Sequence, residues 1–168
     1  MARPNFDLEL AGPGDAIAIV ELLQEAARWV MTWRSQLWNP ALLGLPFVAP
    51  RIAQREMIVA RDSSSIAGVV ILLREDPHFW PDRPQGEAGY LHKLAVRRAY
   101  AGMGLPAVLI DHAAGLARAQ DRHILRLDCD PPLARFYEGL GFRGVDEIDV
   151  LHPEAGAMRV LRMERALD

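Results

Sequence analysis

Leu94-Ala95-Val96-Arg97-Arg98-Ala99-Tyr100-Ala101-Gly102-Met103-Gly104-Leu105-Pro106 decides how the rest of the chain is read, because an apolar strand yields there to a glycine-bearing loop and then to a helix. A junction of this kind turns free backbone N–H groups and the positive end of a helix toward one point, which suits an anion. Two readings stand at this stage. The loop is either a phosphate cradle for a cofactor or an ordinary strand-to-helix connection whose glycines relieve backbone crowding.

Working outward, Ala88 to Val96 forms the strand that enters the loop, and a helix follows from about Gly104 to Gln120 with Leu105, Val108, Leu109, His112 and Leu116 on one face. Ile124 to Cys129 is the next strand. Pro131 to Leu140 is a short helix ending at Gly141. Phe142 to Val150 and Ala157 to Met163 close the chain as strands. On the N-terminal side, Phe6, Leu8 and Leu10 alternate as a first strand, and Asp15 caps a helix that runs to about Arg34. Prolines, Asn39 and Gly44 break the periodicity between Ser35 and Pro50, with a short helix resuming before Glu56. Met57 to Ala60 and Ile66 to Leu73 form an antiparallel hairpin, and Asp76 to Gly86, with three prolines, is a loop. The order is mixed α/β, with mostly antiparallel strands and one βαβ unit around the glycine loop.

Composition narrows the function classes. The 168 residues, 51% hydrophobic and 24% charged, suit one compact domain spanning 1–168. A net charge of -3 argues against a nucleic-acid partner. Lys93 is the one lysine among 19 basic residues, so arginine abundance reflects compositional bias. Cys129 is the only cysteine, which excludes an internal disulfide, and the five histidines show no metal-ligand spacing, so no metal is expected. No apolar run reaches the ~18 residues of a membrane span. The start lacks a signal-peptide core, and the expectation is a cytoplasmic protein.

With that order in place, Gly89-Tyr90-Leu91-His92-Lys93-Leu94-Ala95-Val96, the glycine loop, and Ala134-Arg135-Phe136-Tyr137-Glu138-Gly139-Leu140-Gly141-Phe142 together resemble the GCN5-related N-acetyltransferases. The resemblance spans nearly the whole chain. It implies a mixed α/β fold with a central, mostly antiparallel twisted sheet splayed between two parallel strands, ending at Val96 and at Cys129, and flanked by helices. It implies acetyl-CoA as co-substrate and an amine acceptor, with a small molecule the leading choice, and a homodimer as a frequent state of the family. Backbone groups of Leu94, Ala95 and Val96 would pair with the pantetheine amides, and Ala101, Gly102, Met103, Gly104, Leu105 and Pro106 would meet the pyrophosphate. Arg97 and Arg98 are either phosphate partners or solvated surface arginines.

Two departures from the family pattern stand out. The family loop usually reads Arg or Gln, two residues, Gly, one residue, then Gly or Ala; here those positions hold Ala101, Gly104 and Pro106. Pro106 has no N–H to donate, although proline is sterically acceptable in a first helical turn. Asp130 stands where an asparagine often precedes the last helix. These departures motivate an alternative from another class, a catalytically silent member that binds CoA or another ligand for sensing or assembly. Gly102-Met103-Gly104-Leu105-Pro106-Ala107 also fits a dinucleotide fingerprint, with Asp128 downstream, but Arg97 to Ala101 intervene after the strand and the further βα units of that fold are missing.

Acetyl transfer needs a neutral amine, whereas a free alkylamine has a pKa near ~10.4, so a base must help; the departing thiolate needs an acid. Tyr137 takes the acid role by resemblance. Glu87, at the entrance to the central strand, is the choice for the base, and strand alternation puts His92 on the opposite face. His112 reads as a satisfied buried histidine and Cys129 as a small core residue. Trp29 and Trp33, four apart on one helix, read as core, while Trp38 and Trp80, among prolines, are candidates for an acceptor pocket wall or lid. Glu75, Asp76, Asp82 and Glu87 make the loop before the central strand acidic, either to attract a cationic amine or as ordinary solvated charge.

Overall fold

The structure is a computed structural model that describes residues 5–32, 38–152 and 156–168. Among the described residues, seven strands, mostly antiparallel with a parallel pair, and flanking helices place it in the mixed α/β class expected from the strand and helix periodicities. The chain gathers into two compact units, one of residues 1–72 and 93–113 and the other of residues 73–92 and 114–168.

In the first unit β1 (Asp7–Leu10) pairs antiparallel with β2 (Met57–Asp62), and β2 with β3 (Ser65–Leu73). β2 and β3 are buried on both faces from Met57 to Ala60 and from Ile66 to Leu72, as a run of β-branched and small apolar residues allows. Helix α1 (Ala16–Met31) buries Ile19, Leu22, Leu23 and Ala27. Asp15 stands at its N-cap position, yet its carboxylate turns back to accept the Gly12 N–H at 2.8 Å and Arg61 Nη2 at 2.7 Å. Trp33 and the end of the expected helix lie outside the described residues. Trp29 is a correction: it is exposed on α1, with the Arg98 guanidinium 4.0 Å over its ring, because its position falls off the buried stripe.

Helix α2 (Leu45–Ala53) starts inside the stretch that proline content marked as broken. Pro46 sits in its first turn, where the missing N–H has no partner in any case, so only Pro50 removes a helical hydrogen bond. Helix α3 (Leu105–Arg118) rotates relative to the expected face. Leu105, Leu109, Ile110, Ala113, Ala114 and Ala117 are buried, whereas Val108 is exposed and His112 half-buried. The reason lies in β3. A Cβ added at Gly68 would stand 2.9 Å from Leu109 Cδ1, 3.0 Å from Leu105 Cδ2 and 3.2 Å from the Ala95 carbonyl, so a bare backbone admits the first turns of α3.

In the second unit the first residues of β4 (Ala88–Val96) pair parallel with β5 (Ile124–Cys129), from Ala88 against Ile124 to Leu91 against Leu127, where the ladder ends. Lys93 follows with a positive φ of 51°, a rare conformation inside a strand. β5 pairs antiparallel with β7 (Gly156–Ala166), and β7 with β6 (Arg143–His152). The register puts Tyr90, Arg126 and Glu164 side by side, and by alternation His92, Asp128 and Arg162 one step along the same face. That polar face is covered by the loop that precedes β4. Trp80, fully buried, has two guanidiniums against its ring, Arg126 at 5.0 Å and Arg162 at 4.7 Å from the ring centre.

Candidate active site

The glycine loop belongs to the first unit. Gly102 and Gly104 both have φ of 78°, with open space where a Cβ would stand, so glycine alone takes these turns without strain. Among the described residues, the N–H groups of Gly102, Gly104, Leu105 and Ala107 meet no backbone carbonyl. Met103 differs from the expectation, because its N–H goes to the Tyr100 carbonyl at 3.3 Å. Ala107, the first donor beyond Pro106, stands in its place. Alternating left-handed and right-handed residues at a helix N-terminus form a concavity of N–H groups that fits a diphosphate, so the loop suits the group the resemblance implies.

The two arginines at the end of β4 part company. Arg97 turns inward: Nε donates to the Ile66 carbonyl at 2.9 Å, Nη1 to Glu25 at 3.0 Å and Nη2 to the Ala18 carbonyl at 3.4 Å. As a phosphate partner it is corrected, since its guanidinium holds α1 and β3 instead. Arg98 is exposed, gives its backbone N–H to Glu25 at 3.0 Å and lays its side chain on Trp29. Leu94, Ala95 and Val96 lie past the end of the parallel ladder, with Ala95 buried. Trp38 is half-buried, and the Lys93 ammonium stands 4.9 Å over its ring.

Tyr137 lies in the second unit, on α4 (Ala134–Glu138), a five-residue helix closed when the Leu140 and Phe142 N–H groups donate to its carbonyl. Its ring packs edge-on against Phe136 and Phe142. Burial raises the phenol's pKa well above its ordinary value, helped by the Cys129 thiol and the Asp128 carboxylate. The hydroxyl therefore keeps its proton throughout the physiological range. Cys129 is buried beside Asp128 and Asp130, and burial first, then those charges, push its thiol up to about 12. A thiol so seldom ionised is no nucleophile, which agrees with its reading as core.

Of the acidic loop, little is free. Glu87 Oε1 accepts from Arg126 Nη2 at 2.5 Å, and Asp82 accepts from Arg162 Nη1 at 2.5 Å and Nη2 at 3.1 Å. Arg162 also forks onto Asp146 at 2.7 and 2.6 Å and reaches the Phe79 carbonyl at 3.2 Å. The hydrogen bonds to Arg162 hold the Asp82 carboxyl down at about 2, against the opposing effect of burial. Trp80 as a pocket wall is corrected as well, because a fully buried ring offers no surface to a ligand. It packs with Ala88 and Tyr90, covered by Leu73, Phe79, Ile124 and Val145.

The residue that sequence reasoning passed over is His92. Its Nε2 lies 2.8 Å from Oδ2 of buried Asp76, whose Oδ1 accepts the Phe79 N–H at 3.2 Å, and its Nδ1 lies 3.9 Å from Asp128 Oδ1. Asp76 is fixed in turn, since its N–H donates to Gln85 Oε1 at 3.0 Å and its carbonyl accepts from Trp80. An imidazole that donates Nε2–H to a buried carboxylate presents a free lone pair at Nδ1. Asp76, His92 and Asp128 come from a loop and two strands, and one ligand atom of each lies within 4.8 Å of the others. Nothing in their spacing along the chain announces this, although a histidine on the strand that enters the glycine loop and an aspartate opening a proline-rich loop were both visible. Glu87 and His92 address different partners on this face, and the structure does not bring them together.

Comparison with known proteins bears on the family and the fold. The sequence profile described as "Acetyltransferase (GNAT) family" matches residues 20–142. A Bacillus subtilis (strain 168) protein, "Uncharacterized N-acetyltransferase YesJ", is 32% identical over 143 residues, 79% of each chain. A GNAT-family acetyltransferase from Listeria monocytogenes shares the fold with a TM-score of 0.76 at 25% identity, over 96% of this chain and 95% of that one. The yncA protein of Salmonella typhimurium, a putative acetyltransferase solved with its cofactor acetyl-CoA, matches with a TM-score of 0.71 at 18% identity, over 98% and 95%.

Proposed function

Because the chain belongs to the GNAT acetyltransferase family, we propose that it moves an acetyl group from acetyl-CoA to a primary amine of a small molecule, by direct attack in a ternary complex. The observation that carries the reading is the set of free N–H groups at Gly102, Gly104, Leu105 and Ala107, aligned with the start of α3. Such donors, with the positive helix end behind them, suit the diphosphate of coenzyme A. Backbone groups of Leu94, Ala95 and Val96 would take the pantetheine arm, as in the family the chain resembles.

The proton roles fall to two side chains of the second unit. His92, oriented by Asp76, takes a proton from the acceptor ammonium at Nδ1, leaving a nitrogen lone pair to attack the thioester carbonyl carbon. Collapse of the tetrahedral adduct breaks the C–S bond, and the sulfur takes the phenol proton of Tyr137. The phenol is then restored by the second N–H proton of the new amide nitrogen, so one proton leaves through His92 and one ends on the thiol. Glu87 is set aside as base because its carboxylate is committed to Arg126. Trp38, beside Lys93, remains the aromatic assigned to the acceptor.

Calorimetry with acetyl-CoA, followed by thiol release over a panel of amines, tests the reading. Heat of binding and amine-dependent release support it, and no heat at millimolar acetyl-CoA or CoA refutes it. Binding without release over the panel would favour the silent binder that Ala101 and Pro106 suggest.

A further inference from the structure

Building on the reading of His92 as the base, we propose that Gln85 is its positioning residue: the Gln85 amide holds Asp76 against His92 Nε2 and so keeps the imidazole in the tautomer that leaves Nδ1 bare. Oε1 of Gln85 accepts the Asp76 N–H at 3.0 Å, and Nε2 donates to the carbonyls of Trp80 and Arg83, each at 3.1 Å. Among the described residues all three bonds stay inside the loop that precedes β4, so one side-chain amide closes that loop on itself. The backbone around Gln85 is constrained too. Pro84 has its φ fixed by its ring, and Gly86 follows with φ of 100°, which glycine takes without strain.

Asp76 is where this clamp meets the chemistry. The residue is 5% exposed and its carboxylate is divided: Oδ1 accepts the Phe79 N–H at 3.2 Å, which leaves Oδ2 to His92 Nε2 at 2.8 Å. Phe79 is anchored in turn, since its carbonyl accepts from Arg162 on β7. Remove the Gln85 amide and the buried Asp76 N–H loses its acceptor, a state unfavourable enough to draw the residue toward water. The carboxylate moves with it. A displacement of about 1 Å takes the bond to His92 beyond hydrogen-bond range, and the imidazole can then carry its proton on either nitrogen. An Nδ1 that already holds a proton cannot take one from the acceptor ammonium. Gln85→Glu fails for a related reason, because a carboxylate has no N–H to offer the Trp80 and Arg83 carbonyls and repels them instead.

The test reads the ring directly, by 1H–15N NMR of the whole protein at about pH 8.5, where a free imidazole is neutral. A His92→Gln sample identifies the signals, and far-UV circular dichroism checks that replacing the exposed Gln85 leaves the fold intact. The wild type should show a slowly exchanging Nε2–H proton at low field and a bare Nδ1. In Gln85→Ala and Gln85→Glu that proton should be lost to exchange with water, and the ring nitrogens should move toward the averaged values of a free histidine, as in Asp76→Asn. In turnover with acetyl-CoA and the fastest amine of the panel, Gln85→Ala should lower kcat about tenfold at unchanged KM for acetyl-CoA. In the Asp76→Asn background the same change should cost less than about twofold, because two residues that act through one contact are not additive. An unaltered low-field proton in Gln85→Ala, or an equal loss of kcat in the Asp76→Asn background, overturns the inference. Failure of the base assignment looks different: His92→Gln would leave kcat intact, while the ring signals of Gln85→Ala would still decide whether the clamp sets the tautomer.

Discussion

Two arginines on β7 each bridge two acids, and the structure assigns them very different weight. Arg162 pairs with Asp82 and Asp146, Arg159 with Glu147 and Asp149. The Arg162 side chain is 3% exposed and the Arg159 side chain 59%. Arg162→Met keeps a stem to pack on Trp80 but removes both forks and leaves the Phe79 carbonyl without its donor. Breaking a buried pair costs about 3–5 kcal/mol when the surviving charge is stranded. Here Asp82 and Asp146 are 54% and 40% exposed and can turn to water, so the lower end, about 3 kcal/mol, is expected. That corresponds to a fall in Tm of roughly 6–12 °C for a chain of this size. Arg159→Met, whose partners and guanidinium are already hydrated, should leave the urea midpoint where it is. Urea unfolding followed by far-UV circular dichroism is the assay, since Trp80 fluorescence would respond to the loss of its arginine directly. Equal midpoints for the two variants would refute the claim that burial, rather than the number of ion pairs, sets the contribution.

Asp82 adds a pH dependence. Its carboxyl is depressed from 3.8 to about 2, so its contribution is fully present above 3.8 and is lost as pH falls toward about 2; Asp82→Asn should flatten the acid-unfolding curve in that window. Tyr137→Phe should lower kcat by about tenfold or more with little change in KM for acetyl-CoA, and unchanged turnover would remove it as the acid. His92→Gln should cost about a hundredfold or more in kcat while Glu87→Gln changes it only a few-fold; the opposite order in a steady-state assay would return the base to Glu87.

The strand and helix order, the glycine loop and the Tyr137 to Phe142 ending were legible in the amino-acid sequence, because period-2 and period-3.6 patterns and glycine turns are written in neighbouring residues. Tertiary structure alone decided which polar groups meet. Asp76 and His92 are sixteen positions apart, and no local pattern pairs them. Trp80, flanked by prolines, reads as a pocket wall or lid, yet it is fully buried, with the guanidiniums of Arg126 from β5 and Arg162 from β7 against its ring. Arg97 looks available to a phosphate until Glu25 of α1 and the Ile66 carbonyl of β3 claim its guanidinium. The cause is common to all three: a charged or aromatic side chain far from its partner in sequence carries no periodic signal, and its role follows from the strand register and the loop that packs over it.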